Sequence, residues 1–269
     1  MIDPFSTGIP QFGHLLLQFL ILVAVSGLRL LVLLTIFPPT GGELITKRIR
    51  NAMVMLWSVY IAYGQQALLT KLHGEFLLLV VVKEAVIGLV IAFVASPVFW
   101  VAEAVGTYID DLTGYNNVQI SNPSLGQQTT LTSTLLMQCA TVAFWTLGGM
   151  TFLLGAVFQT YVWWPLGSLA PVPRAFIESF VMQQADSLMA SIAKLAAPAV
   201  LLLLLVDVGV GLLSRIASKL DLVSLAQPVK GALAVLLLAL MIGVFIGQVK
   251  DQVALLHIGD QLHALALLK

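Results

Sequence analysis

Six apolar runs dominate this sequence, at residues 15–37, 51–70, 76–104, 129–159, 187–213 and 231–249. Each is long enough for a helix and too long for a buried strand. A helix rises roughly 1.5 Å per residue, so about twenty residues cross a hydrocarbon core of about 30 Å. In lipid the backbone must satisfy its own hydrogen bonds, which a helix does within one segment. A closed barrel would need short strands of alternating polarity, and these are missing. The expected fold class is all-α: a polytopic membrane-type protein of about six long helices. Pro97 and Pro198 fall inside runs and should kink them. Gly88, Gly148, Gly149, Gly209, Gly211 and the Gly243/Gly247 pair suit close helix packing.

Composition removes other classes. Hydrophobic residues make up 59% of the 269 and charged residues only 10%, whereas a soluble domain is usually about 25% charged. Thirteen basic residues balance thirteen acidic ones with no basic stripe, so nucleic acid is not an expected partner. Cys139 is the sole cysteine, which excludes an intrachain disulfide. His14, His73, His257 and His263 are scattered without metal-ligand spacing. There is no P-loop and no GxSxG elbow, and Gly209-Val-Gly211 lacks the third glycine of a dinucleotide fingerprint. No residue is nominated as catalytic, cofactor-binding or metal-ligating, and an enzyme is not expected.

The first eleven residues carry Asp3 and no basic residue, so the first run reads as a retained span, not a secretory leader. With six crossings, the loops around Lys47, Arg48 and Arg50 and around Arg215, Lys219 and Lys230 share a side. The positive-inside rule makes that side cytoplasmic. Trp163 and Trp164 suit an interfacial belt on the opposite side.

Arg29, Lys83, Glu84, Glu103 and Asp207 fall in or at the edge of expected spans. Such a group costs about 2.5–3.5 kcal/mol at a bilayer centre on insertion scales, so it should pair or face water. Lys83 and Glu84 point about 100° apart on a helix and make poor partners for each other. Asp207 and Gly211 share a face, with Arg215 one turn on. Three roles stay open: ion pairing within an assembly, lining of a polar conduit, and a proton relay. Lys83, Glu84, Asp207 and Arg215 are the candidate assembly charges.

The stretch from Val105 to Gln127 reads as a long loop, which is functional or disordered more often than incidental. It mixes Tyr108, Ile109, Leu112, Tyr115, Val118 and Ile120 with turn formers at Asn122-Pro123 and Gly126, unlike a solvated linker.

Three stretches here resemble one family: KEAVIGLVIAF (83–93) leading to AVGTYID (104–110), ISNPSLGQQTTLTSTLL (120–136), and DVGVGLLSRIASKLDLVSLAQPVKG (207–231). They are similar to the export-apparatus protein T of bacterial type III secretion systems and to its flagellar counterpart, the R protein of the flagellar export gate. Asn122-Pro123, where the flagellar branch typically has Asp-Pro, places the chain nearer the virulence-type branch.

The resemblance implies a non-catalytic gate component that joins R-type and S-type subunits in a conduit for unfolded polypeptides across the bacterial inner membrane. It adds a U-type switch protein and a V-type export protein as neighbours, and helices that sit partly above the membrane plane once assembled. It implies a gate-forming region at 1–186 whose loop at 105–127 is a plug. That plug would use Tyr108, Leu112, Tyr115, Val118, Ile120, Asn122 and Pro123. Residues 187–251 would form a hairpin like the S-type subunit, with Arg215, Lys219 and Lys230 at its partner-facing tip, and 252–269 a short amphipathic tail. A small-solute or proton-coupled transporter is the competing reading, and an inverted repeat with two matched broken helices would favour it.

Overall fold

A computed structural model describes residues 4–41, 44–68, 74–115, 119–122, 127–168, 174–216 and 222–253. Among them are eight α-helices: α1 Pro4–Ile36, α2 Lys47–Gly64, α3 Gly74–Ala95, α4 Pro97–Thr113, α5 Leu131–Thr146, α6 Gly149–Trp163, α7 Arg174–Ile216 and α8 Leu222–Val253. Between α4 and α5 lies a two-stranded antiparallel hairpin, β1 Gln119–Asn122 and β2 Gln127–Thr130. The chain is helical as expected, and the hairpin is an addition.

Two expected helices are broken. Pro97 lacks the N–H that would continue the preceding helix, so α3 ends at Ala95 and Pro97 opens α4 at its first position. The run 129–159 divides at Leu147-Gly148, where Gly148 takes φ +74°. A side chain at Gly149 would collide with the Phe144 ring. Pro198, by contrast, stays inside α7.

The helical membrane-type fold is as expected, and its count of about six long helices is approximate. Among the described residues four stretches are long and apolar enough to cross a membrane: Phe12–Ile36, Gly74–Ala95, Met182–Ile216 and Ala226–Gly247. The bent pair of α5 and α6 makes a fifth if it counts as one. The second run drops out because α2 opens on Lys47, Arg48 and Arg50 and carries Asn51 and Ser58.

The chain forms two compact units. The first comprises residues 1–95, 154–172 and 258–269, and the second 96–153 and 173–257. These units follow a different division from segments 1–186, 187–251 and 252–269, and residues 254–269 lie outside the described ones.

In the first unit α1 packs against α2 and α3. Its buried core includes Leu22, Leu30, Leu33, Phe37, Val80 and Ile91. At Gly88 an added Cβ would lie 2.6 Å from the Arg29 carbonyl oxygen, so α1 and α3 touch backbone to backbone.

In the second unit α4 is central, contacting α5, α7 and α8. Phe99 and Phe144 meet edge to face with centroids 5.9 Å apart. A small apolar cavity of about 20 Å³ lies among Val105, Ile109, Leu136, Leu195, Leu238 and Phe245. Gly209, Gly211, Gly243 and Gly247 have no neighbour within 4 Å of an added Cβ among the described residues.

Candidate functional site

The helix α4 runs further than the sequence suggested. Val105, Ile109 and Leu112 keep helical spacing, and the first residue that stops the helix is Gly114. Gly114 sits at φ +79° and its N–H reaches the Asp110 and Asp111 carbonyls, a left-handed C-terminal cap. The loop expected at 105–127 thus starts at Gly114. Tyr108 and Leu112 belong to α4 instead, the first 52% exposed and the second half-buried.

Beyond Gly114 the backbone pairs in the register Gln119↔Thr130, Ile120↔Thr129, Ser121↔Gln128 and Asn122↔Gln127. Ile120 and Asn122 lie on β1, while Val118 and Pro123 lie outside the described residues. The second strand runs without a break into α5.

Both ends of the hairpin are anchored by side chains from a distance. Thr130 is the N-cap residue of α5, yet its hydroxyl has no hydrogen-bond partner among the described residues. Asp110, a buried carboxylate on α4, supplies the cap: the Thr132 N–H donates to its Oδ2 at 2.7 Å and the Thr132 hydroxyl to its Oδ1. An anion here also meets the positive end of the α5 dipole. One turn back on the same face, Gly106 lets α4 press onto the α5 backbone at Thr132 and Ser133.

The C-terminal end of α4 has the opposite need, and α8 meets it. Lys230 Nζ donates to the Leu112 carbonyl at 3.0 Å, and Gln227 Nε2 to the Gly114 carbonyl at 3.3 Å. The Lys230 ammonium also pairs with Asp207 on α7. The Tyr115 ring lies where a Cβ on Gly231 would sit.

Lys230, expected at a partner-facing tip, is turned inward onto α4. Asp207, expected to share a face with Arg215, reaches across to α8, and Arg215 is exposed in the last turn of α7. Lys219 lies outside the described residues.

The remaining candidate charges gather in the first unit. Glu84 is fully buried and takes two bonds from Arg29, Nε to Oε2 at 2.8 Å and Nη2 to Oε1 at 3.0 Å. Arg29, also fully buried, donates to Thr160 Oγ1 at 2.6 Å and the Trp164 carbonyl at 3.1 Å. It lies 3.9 Å from the Tyr161 ring centroid.

Lys83 and Glu84 do pair, Nζ to Oε1 at 3.0 Å, against the expectation from their angular separation. The long lysine stem curls back, and its ammonium also bonds the carbonyls of Pro165, Leu166 and Ser168 at 2.8–3.1 Å. Trp164, expected at a membrane interface, is buried beside this cluster.

Sequence reasoning named Arg29 but did not join it to Glu84, because 55 residues separate them. Asp110 was passed over, although its i, i+4 spacing from Gly106 was the available signal. Arg50 was read as a topology signal. It is 7% exposed, and its Nε has no hydrogen-bond partner among the described residues.

The arrangement is a polar framework that fixes helix ends and offers no nucleophile beside a base. Comparison with known proteins agrees with that character. The family described as bacterial export proteins, family 1, matches residues 17–256. The chain is 34% identical over 202 residues to Yop proteins translocation protein T of Yersinia pestis, covering 74% of this chain and 76% of that one. It is 28% identical over 225 residues to the secretion system apparatus protein SsaT of Salmonella typhimurium, covering 82% and 86%. To the flagellar biosynthetic protein FliR of Escherichia coli it is 24% identical over 213 residues, covering 79% and 80%. With the match running through every helix from α1 to α8, this chain belongs to the bacterial export proteins, family 1.

Proposed function

We propose that the chain is the T-type subunit of a type III secretion export gate in the bacterial inner membrane. There it forms, with R-type and S-type subunits, a conduit for unfolded polypeptides. It is a membrane protein and a non-catalytic component of a type III export apparatus, working in a complex with other export components. U-type and V-type proteins are the proposed neighbours on the entry side.

Unused surface supports assembly. The open glycines of α7 and α8 sit beside exposed apolar residues such as Leu205, Leu212, Leu240 and Val244. A buried donor without a partner costs about 1–3 kcal/mol, so Arg50 favours an acceptor brought by another subunit.

The hairpin between α4 and α5 is the proposed seal. The observation that carries this is its anchoring: Asp110 caps one root and Lys230 with Gln227 the other. A segment that must block ions yet yield to a passing chain needs a fixed base and weak apolar contacts at its tip. Tyr115, Val118 and Ile120 supply candidate bulk, with Tyr108 and Leu112 on the helix α4 and Asn122-Pro123 in the same segment of sequence.

Removing Asn116–Ser121 in the co-expressed complex should leave assembly intact and raise membrane ion conductance. A shortened chain that assembles normally in a membrane as tight as with the intact one would sink the seal. The transporter reading gains no observation, since the two helix breaks, at Pro97 and at Gly148, differ in kind.

A further inference from the structure

We propose that Lys230 and Gln227 are positioning residues of the seal, holding the end of α4 so that the hairpin leaves it in one fixed direction. The inference rests on the hairpin's being the seal and adds how it is held. Gln227, Lys230 and Gly231 stand at i, i+3 and i+4, one face of α8. All three meet the last turn of α4 or the residue after its cap. Gln227 bonds the Gly114 carbonyl, Lys230 bonds the Leu112 carbonyl, and Gly231 leaves room for the Tyr115 ring.

The Leu112 carbonyl is one the helix itself leaves without a partner at its C-terminus, and Gly114 is its cap. A cation there also meets the negative end of the α4 dipole. Asp207 fixes the ammonium from α7. Side chains of α7 and α8 therefore hold the stem of the hairpin.

The test uses the full chain in its co-expressed complex, reading membrane ion conductance together with the amount of complex recovered. Lys230→Met should leave the complex present and raise conductance roughly tenfold, the size expected when one charge-assisted hydrogen bond no longer biases a closed state. Lys230→Arg, which restores the cation, should bring it back near the intact level. Gln227→Ala, at an exposed position, should leak less than Lys230→Met, and it decides the matter if the lysine variant fails to assemble.

Adding Lys230→Met to the chain lacking Asn116–Ser121 should add no further leak. If the shortened chain leaks while Lys230→Met and Gln227→Ala stay tight, the positioning role is overturned and the seal stands. If none of the three leaks, both fall. A Lys230→Met leak that adds to the deletion's also overturns the role, since the lysine would then act away from the hairpin.

Discussion

Glu84 and Asp207 are both carboxylates on apolar helices, and each holds a lysine. Glu84 has no exposure, while the Asp207 side chain keeps 42% of its own. Around Glu84 two cations and one anion are enclosed, and donors and acceptors come from α1, α3, α6 and the turn that follows. Around Asp207 one cation bridges to one carbonyl at the edge of water. Taking an ion out of water costs several kcal/mol, so an enclosed group persists only when every partner is in place. A half-exposed pair carries little of that cost and can open without unfolding its surroundings. The first unit uses charge as a lock, and the second uses it as a clamp that can be released.

The surfaces differ in the same sense. Half of the most apolar stretch of Phe12–Ile36 is buried within the chain, against 17% of that of Ala226–Gly247. The apolar face of α8 is largely exposed within the chain, while Gln227 and Lys230 near its start meet α4.

The largest effect should come from breaking the lock. Glu84→Ala strands Arg29 and Lys83 without their anion and should cost about 3–5 kcal/mol. It should appear as loss of recoverable complex or a large drop in its melting temperature. Replacing Arg29 and Glu84 together by Met and Leu should cost less than Glu84→Ala alone, because no arginine is left unpaired. A single variant as stable as the intact protein would remove the distinction between lock and clamp.

A smaller effect is expected at the root of the hairpin. Asp110→Ala removes the acceptor of the Thr132 N–H at the start of α5, where the Thr130 hydroxyl has no partner among the described residues. Loss of a helix cap costs about 0.5–2 kcal/mol. Thermal melts of the purified complex should show it, and hydrogen exchange should rise in the first turn of α5. Unchanged protection there would mean that another group caps the helix.

The smallest effect should follow Asp207→Asn. A pair with one partner this exposed is worth about 0–1 kcal/mol, so melting should barely move, and what remains should shrink further in salt. A loss comparable to that of Glu84→Ala would show that the second pair is a lock as well.

Much of the framework was legible because it depends on local pattern. Long apolar runs dictate helices, Pro97 marks a boundary, and Gly114 ends α4. The same logic overreached where composition was averaged over a run. The second run passed as a span although its first turn is basic, and the third and fourth were each taken as one helix. The length of α4 was underread because Tyr108 and Asp110 look like loop residues until their helical spacing is counted.

The sequence by itself determined the helical class, the membrane character and the family, since apolar length and ordered motifs are properties of the chain taken in series. Only the tertiary structure decided which charges meet. Arg29 and Glu84 are 55 residues apart, Leu112 and Lys230 are 118 apart, and a partner at that distance is chosen by helix packing that no local period encodes. It also decided that Lys83 bends back to its own neighbour. A flexible four-carbon stem is not bound by the angle of its Cα, and the carbonyls of Pro165, Leu166 and Ser168 were waiting on that side.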